Sequence, residues 1–407
     1  MADDKIHEIK PGVSWIGVLD RDIISFDIVM ETQYGTTYNS YYIDADKKTV
    51  IDTVKDKFRE TFLNKLSKLT DPSEIEYIIC SHSEPDHSGN IGTLLELAPN
   101  ATVIGSGQAI KNLQEIMGFT FKSQKVQDGD VIDLGNKKLR IISAPNLHWP
   151  DTIFTYLEED KLLFTCDSFG AHLCDEAMFN DKITGNFDDA FKYYFDVILK
   201  PFSKFMLKAI EKIRDLEIYA ICTGHGPILR YDWIKYVNLA KKMSTDYMNI
   251  ILNAQNRVLL TYVSAYGYTK EMAYRISEGL RESGQIEVDL VDIENISPSE
   301  MEEKLIKSDA LIIGSPTFNQ NTLLPVYKLF SVINPIRDKG KLAAAFGSYG
   351  WSGEAVKIIE DHLKNLKLDV SINGLSEKFY PNNDKNDRLI EFGRAFAEKL
   401  LQKKLSI

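Results

Sequence analysis

Residues 82–87 read His-Ser-Glu-Pro-Asp-His, and three more potential metal ligands, His148, Asp167 and His225, follow at wide intervals. Four of the chain's seven histidines and three carboxylates, Glu84, Asp86 and Asp167, therefore form one candidate coordination set. Bringing such distant residues together requires a rigid scaffold whose loops open on one side. Strands expected at residues 75–80, 139–143, 162–165 and 217–222 run into His82, His148, Asp167 and His225 respectively. Each ligand thus sits just past a strand, where a sheet can aim loop side chains. The pattern His-x-Glu-x-Asp-His gives one loop four side chains within six residues, enough to serve two ions side by side.

The ligand types restrict the metal. Imidazole-rich sites suit zinc, whereas mixed imidazole and carboxylate sites favour iron or manganese. Four neutral histidines and three carboxylates set minus three against the plus four of two divalent ions, and a bridging hydroxide would complete a nearly neutral core. Such a pair can change oxidation state without burying a large net charge. Zinc has no such redox chemistry.

A chain of 407 residues suggests more than one core. Domains are expected at 1–252 and 257–407, joined by a polar linker at 253–257. The net charge of −11 argues against nucleic acid as a partner. No run of about 18 apolar residues is present to span a membrane, and the polar N-terminus has no signal core. Cys80, Cys166, Cys174 and Cys222 form no CxxC pair, so a reducing, cytoplasmic setting is expected. Cys80, Cys166 and Cys222, each near a candidate ligand in sequence, read as small buried apolar residues at strand ends. There is no four-cysteine iron site of the rubredoxin kind.

The first half alternates strands, expected at 13–18, 23–30, 37–43, 49–54, 101–104 and 131–134, with helices at 56–69, 109–117, 187–214 and 232–251. From residue 258 the order becomes strand then helix: strands at 258–263, 286–291, 310–313, 342–346 and 370–372 alternate with helices at 269–281, 298–307, 324–332, 353–366 and 387–403. That order gives a doubly wound parallel sheet, which binds ligands at the carboxyl ends of its strands. Ser264, Ala265, Tyr266, Gly267, Tyr268 and Thr269 follow the first of these strands and precede a helix. Hydroxyls and backbone N–H groups there form an anion cradle. With no Lys or Arg in the loop and no GxGxxG, a monophosphate fits best, which points to FMN. Ser315, Pro316, Thr317, Phe318 and Asn319 follow the third strand. Ser348, Tyr349, Gly350, Trp351 and Gly353 follow the fourth and offer aromatic faces to a flavin ring.

The loop at 82–87 resembles the metallo-β-lactamase signature, with Glu84 where the zinc hydrolases carry a second histidine. The whole chain resembles the flavodiiron (A-type flavoprotein) family, through His82–Gly89, Leu147–Asp151, Asp167–His172, Gly224–Gly226 and Gly347–Gly353. The resemblance implies an N-terminal metallo-β-lactamase-like αββα sandwich followed by a flavodoxin-like doubly wound parallel sheet. It implies that His82, Glu84 and His148 bind one iron, Asp86, His87 and His225 the other, and that Asp167 bridges them. It places His172 and Tyr193 in the substrate pocket as catalytic candidates, with Lys55 further out. Tyr266 departs from the flavodoxin pattern, which has a hydroxyl residue there. The implied activity is reduction of O2 to water or of NO to N2O, with electrons passing through FMN. O2 is favoured because no rubredoxin module is appended. Implied partners are a separate donor (rubredoxin, a flavin reductase or reduced F420) and a second copy in a head-to-tail homodimer or a dimer of dimers. Two other readings compete: a zinc hydrolase fused to a flavodoxin, and a non-enzymatic electron carrier. Glu84 speaks against the first, and an intact seven-residue ligand set against the second.

Overall fold

The computed structural model describes residues 5–26, 30–185, 187–252, 256–379 and 383–405. The chain divides into two compact units, Met1–Tyr247 and Met248–Ile407, and the division falls within the helix Trp233–Leu252.

The first unit holds two stacked sheets. One has the order His7–Lys10, Val13–Trp15, Tyr41–Ile43, Thr49–Ile51, Tyr77–Ile79, Thr102–Ser106, Ser123–Val126. The other runs Val131–Asp133, Lys138–Ser143, Ile153–Leu157, Leu162–Cys166, Ala220–Thr223. Strand alternation decides which side chains meet between them. Tyr41, Ile43, Ile79 and Ile104 point inward and meet Ile141, Leu162 and Phe164. Their neighbours Tyr42, Ile78 and Val103 pack outward on Phe62, Leu66 and Ile110 of flanking helices. Ile142, Leu163 and Ile221 pack outward on Phe191, Met206 and Val237. Each fully buried Leu or Phe here contributes about 1.5–3 kcal/mol. Helices thus cover both outer faces, as an αββα sandwich requires.

In the second sheet Lys138–Ser143 and Leu162–Cys166 are each antiparallel to Ile153–Leu157, and Ala220–Thr223 is parallel to Leu162–Cys166. Three strands therefore run the same way, and their carboxyl ends share one edge. His148, Asp167 and His225 follow those three ends.

The second unit is a five-stranded sheet, parallel throughout, in the order Glu287–Asp292, Arg257–Tyr262, Ala310–Gly314, Leu342–Tyr349, Leu375–Lys378. This is the flavodoxin-like 2-1-3-4-5 order. Val258 and Leu260 face the helices Tyr268–Arg281 and Asn383–Leu405, while Leu259 faces the other layer.

Several elements differ from expectation. The helical stretch at 187–214 is broken by a π turn at Phe195–Leu199 and a 3-10 turn at Lys200–Phe202, because Pro201 lacks the N–H that would continue the ladder. The last strand is Leu375–Lys378, not 370–372; Val370 and Ile372 instead pack beneath the helices. The fourth strand extends to Tyr349, so Ser348 and Tyr349 lie on it and not in a loop. The run at 13–18 splits at Gly17, whose position leaves no room for a Cβ against the Tyr38 carbonyl (2.3 Å). Residues 27–29 of the strand expected at 23–30, and residues 253–255 of the expected linker, lie outside the described residues. No helix among the described residues is long and apolar enough to cross a membrane.

Candidate metal centre and flavin cradle

The loop after Tyr77–Ile79 is held from outside. Asp52, at the end of Thr49–Ile51 with φ +52°, accepts from the Ser81 N–H at 2.7 Å. Asp151 Oδ2 accepts from the Ser83 N–H and hydroxyl at 3.0 and 2.6 Å. Pro85 opens the short helix Pro85–Ser88 and places Asp86 and His87 side by side; the His87 carbonyl accepts from Thr53 N and Oγ1 at 2.6 and 2.8 Å.

The seven expected ligands come together as two triangles sharing one carboxylate. Asp167 Oδ2 lies 3.0 Å from His148 Nε2 and 3.6 Å from His82 Nε2, and Glu84 Oε2 lies 3.0 and 3.4 Å from the same two nitrogens. Asp167 Oδ1 lies 3.0 Å from His87 Nε2 and 3.4 Å from His225 Nε2, while Asp86 Oδ2 lies 3.5 and 3.2 Å from them. Donor atoms bonded to one ion at about 2.1 Å lie roughly 3.0–3.4 Å apart at octahedral or tetrahedral angles. The spacing is therefore that of a coordination polyhedron. His82 Nε2 and both Asp86 oxygens are buried without a hydrogen-bond partner, as atoms meant for a cation are. The chemistry of the donor set fits two metal ions.

Charge in the cluster behaves accordingly. Burial alone would raise the carboxyls of Glu84, Asp86 and Asp167, yet facing imidazoles hold all three below the usual range. Burial would lower His148, but its hydrogen bonds to Asp167 and Glu84 raise it to about 10. Protons and metal ions compete for the same atoms. Desolvation pushes the thiols of Cys80, Cys166 and Cys222 up, so they stay neutral.

Outer contacts orient the rings. His225 Nδ1 lies 2.6 Å from the Thr37 carbonyl; a carbonyl only accepts, so the proton is on Nδ1 and Nε2 is left for a metal. Gly224 is required by close approach: a Cβ there would stand 2.8 Å from His87 Cε1 and 3.1 Å from Asp167 Oδ1.

His172 lies beside the second triangle, its ring 5.5 Å from that of His225. Its Nδ1 pairs with Thr36 Oγ1 at 2.9 Å, and its Nε2 is buried without a partner. Burial and then the neighbouring His225 lower it to about 3, so it is neutral at working pH. A cavity of about 670 Å³ is lined by His172, Tyr34, Ala190 and Tyr193 among others. Tyr193 is 40% exposed and faces that cavity, whereas Tyr194 is buried with its ring 4.8 Å from His172. Lys55 Nζ lies 5.7 Å from the Phe26 ring and 5.8 Å from the Tyr38 ring, both of which pack on His225. Asp52, Thr37, Asp151 and Tyr194 were not among the sequence candidates. Of these, Asp52, a carboxylate within the strand expected at 49–54, and Asp151, inside the motif Leu147–Asp151, carried a local signal.

His7 and His362 lie apart from the cluster. His7 packs on Trp15 and Phe179, and His362 lies flat on Phe330 with ring centroids 4.7 Å apart.

In the second unit the three strand-end segments interlock. Thr269 Oγ1 and Ser348 Oγ are 2.8 Å apart, and the Thr317 N–H donates to the Ser348 carbonyl at 2.9 Å. Thr317 Oγ1 accepts from the Ala355 N–H at 3.2 Å, and Ser315 Oγ from the Leu323 N–H at 3.3 Å. Pro316 and Asn319 lie in the same turn as Phe318, whose ring stacks on Tyr266 at 5.9 Å. Gly267, at φ +83°, begins the helix Tyr268–Arg281 without a side-chain cap, so the first N–H groups of that helix have no side-chain acceptor. Ser264 Oγ is buried without a partner beside it. A free hydroxyl and an uncapped helix start are what a phosphate monoester occupies, so the loop fits FMN. Ala265 lies between Ser264 and Tyr266 in that loop. Tyr266 and Trp351 are each 75% exposed, offering aromatic faces at the rim; Gly350 and Gly353 flank Trp351.

Comparison with known proteins gives this architecture its context. Residues 36–226 match the ODP family beta lactamase and residues 260–393 the flavodoxin family. The flavo-diiron protein FprA2 of Clostridium acetobutylicum is 38% identical, over 97% of this chain and 99% of that one. A Moorella thermoacetica protein named nitric oxide reductase is 32% identical, over 96% of this chain and 98% of that one. Among solved structures, the rubredoxin oxygen:oxidoreductase of Desulfovibrio gigas superposes with a TM-score of 0.67 at 27% identity, covering 99% of this chain and 100% of that one. Likeness of this extent, end to end across both units, identifies the chain as a member of the flavo-diiron protein family of oxidoreductases.

Proposed function

We propose that the chain reduces O2 to water at a di-iron centre held by His82, Glu84, His148, Asp86, His87 and His225, with Asp167 bridging, and that FMN in the second unit relays the electrons. The observation that carries this reading is the pair of ligand triangles sharing Asp167, with His172 lying both beside one triangle and in the lining of a cavity. When bound, the irons and flavin supply redox-active open positions and store the electrons that O2 reduction consumes. The chain's own residues do the rest. Glu84, Asp86 and Asp167 balance the charge, so two cations are held without a large buried excess. His172, neutral and with an unpartnered Nε2, donates or accepts a hydrogen bond beside the cluster. Tyr34 and Tyr193 line the cavity next to His172. The oxidoreductase uses a separate donor, for which rubredoxin, a flavin reductase and reduced F420 are the candidates. It works as a homodimer, head to tail or as a dimer of dimers, in which the exposed rim at Trp351 meets the partner. Full turnover by a monomer at high dilution would count against that arrangement.

Reduction of NO to N2O is the second reading, favoured by the likeness to the Moorella protein. Parallel O2 and NO electrode assays on the same photoreduced protein decide between them. Faster O2 consumption, without peroxide accumulating, supports the first; NO turnover with negligible O2 uptake replaces it with the second.

A further inference from the structure

Of the three most buried cysteines, Cys80 and Cys222 lie in apolar clusters; the Cys80 thiol donates to the His82 backbone carbonyl at 3.1 Å and does not reach the imidazole. Cys166, 2% exposed, belongs to no such cluster among the described residues. Its Sγ lies 3.7 Å from His82 Nδ1, in a group with His82, His87 and Asp167 whose ligand atoms fall within 4.8 Å of one another. Its backbone is left-handed, with φ +47°, where a non-glycine residue costs about 1–2 kcal/mol. Glycine or asparagine would occupy that conformation more easily. The fold keeps a strained sulfur beside a metal-ligand ring, and such outliers gather where function requires them.

The ring it touches has an unusual outer partner. With Nε2 on a metal, His82 carries its proton on Nδ1, and that N–H needs an acceptor. His225 gives its own to a carbonyl at 2.6 Å. Among the described residues, His82 Nδ1 meets only the Thr152 hydroxyl at 3.4 Å and the Cys166 sulfur at 3.7 Å, both long and weak. His82 Nε2 itself is buried and unpartnered, aimed into the cluster.

We infer that Cys166 is a positioning residue for the metal centre: its thiol sulfur accepts weakly from His82 Nδ1–H, keeping that imidazole a poorer electron donor and the iron it holds easier to reduce. This rests on the di-iron reading, so iron per chain is measured first, and protein without iron refutes that reading and not this one. In iron-loaded protein the midpoint potential of the first reduction is then followed by EPR-monitored titration. Cys166→Asn places a stronger amide acceptor near Nδ1, and Cys166→Gly removes the acceptor; both accept the left-handed backbone. The potential shifts down for Asn and up for Gly. A merely structural role moves neither in opposite senses, and shifts of the same sign, or none, overturn the inference. Should either variant fail to hold iron, the wild-type protein still decides: its infrared S–H stretching bands, one per buried thiol environment, include one that moves between oxidised and reduced centres. Bands that all stay fixed overturn the inference as well.

Discussion

A single methyl group at Gly224 tests the geometry of the cluster. In Gly224→Ala the new carbon would stand 2.8 Å from His87 Cε1, 2.8 Å from the Cys166 carbonyl carbon and 3.1 Å from Asp167 Oδ1. Non-bonded carbons settle at about 3.5–4.0 Å, so the carbon contacts are short by roughly 0.7 Å or more. The Cys166 atom is backbone and cannot rotate away, so the displacement falls on the imidazole and the bridging carboxylate. Metal–ligand distances tolerate only about 0.2 Å. We expect iron affinity to fall roughly 10- to 100-fold, the scale of a lost outer contact, and overpacking to cost about 1–3 kcal/mol of stability. The assay is iron retained per chain against a graded chelator, with the melting temperature of iron-free protein and the flavin content measured alongside. Gly107→Ala is the control: it opens the helix Gly107–Met117, its Cβ meets nothing closer than Lys125 Cδ at 4.0 Å, and it should leave iron binding unchanged. If Gly224→Ala holds iron as tightly as the parent, the coordination geometry described here is wrong.

Three other outcomes follow from the same structure. His148 has its imidazole raised from the ordinary value near 6.5 to about 10; in iron-free protein its stabilising contribution is complete below pH 6.5 and lost as pH rises toward 10. Thermal melts of iron-free protein should fall across that window while iron-loaded protein, whose metal displaces the proton, stays level; parallel curves contradict this. Glu84→His restores the zinc-hydrolase ligand type and removes one of three negative charges, so protein grown with both metals should take up zinc over iron and lose gas reduction, as elemental analysis and an electrode will show. Ser264→Ala deletes the unpartnered hydroxyl at the helix start and should weaken FMN binding about tenfold by fluorescence titration, with iron content unchanged.

Much of this was legible in the sequence for identifiable reasons. Short apolar runs such as Tyr41–Ile43 and Leu162–Cys166, buried at every position and bounded by polar residues, mark strands, and the strand–helix rhythm after residue 257 carries the doubly wound order. The fold class and the family follow. His7–Lys10, Ser123–Val126 and Ile153–Leu157 have no counterpart among the expected strands: the first is only four residues long, the second is polar and exposed for most of its length, and nothing in the sequence of the third sets it apart. At the site, residue type alone singled out the histidines and carboxylates. The outer partners could not be read that way. Thr37, Asp52, Asp151 and Cys166 act through backbone groups, through conformation or through contacts that only the folded chain brings together. The difference between Tyr193, facing the cavity, and Tyr194, facing His172, depends on helix phase, which two adjacent tyrosines conceal.

The central claim is that Asp167 joins two irons in one unit. Mössbauer and EPR spectra of protein enriched in iron-57 test it most directly. The account predicts two irons per chain, magnetically coupled when oxidised and giving a mixed-valent signal after one-electron reduction, with coupling lost in Asp167→Ala. A single isolated iron, or zinc in its place, would contradict it.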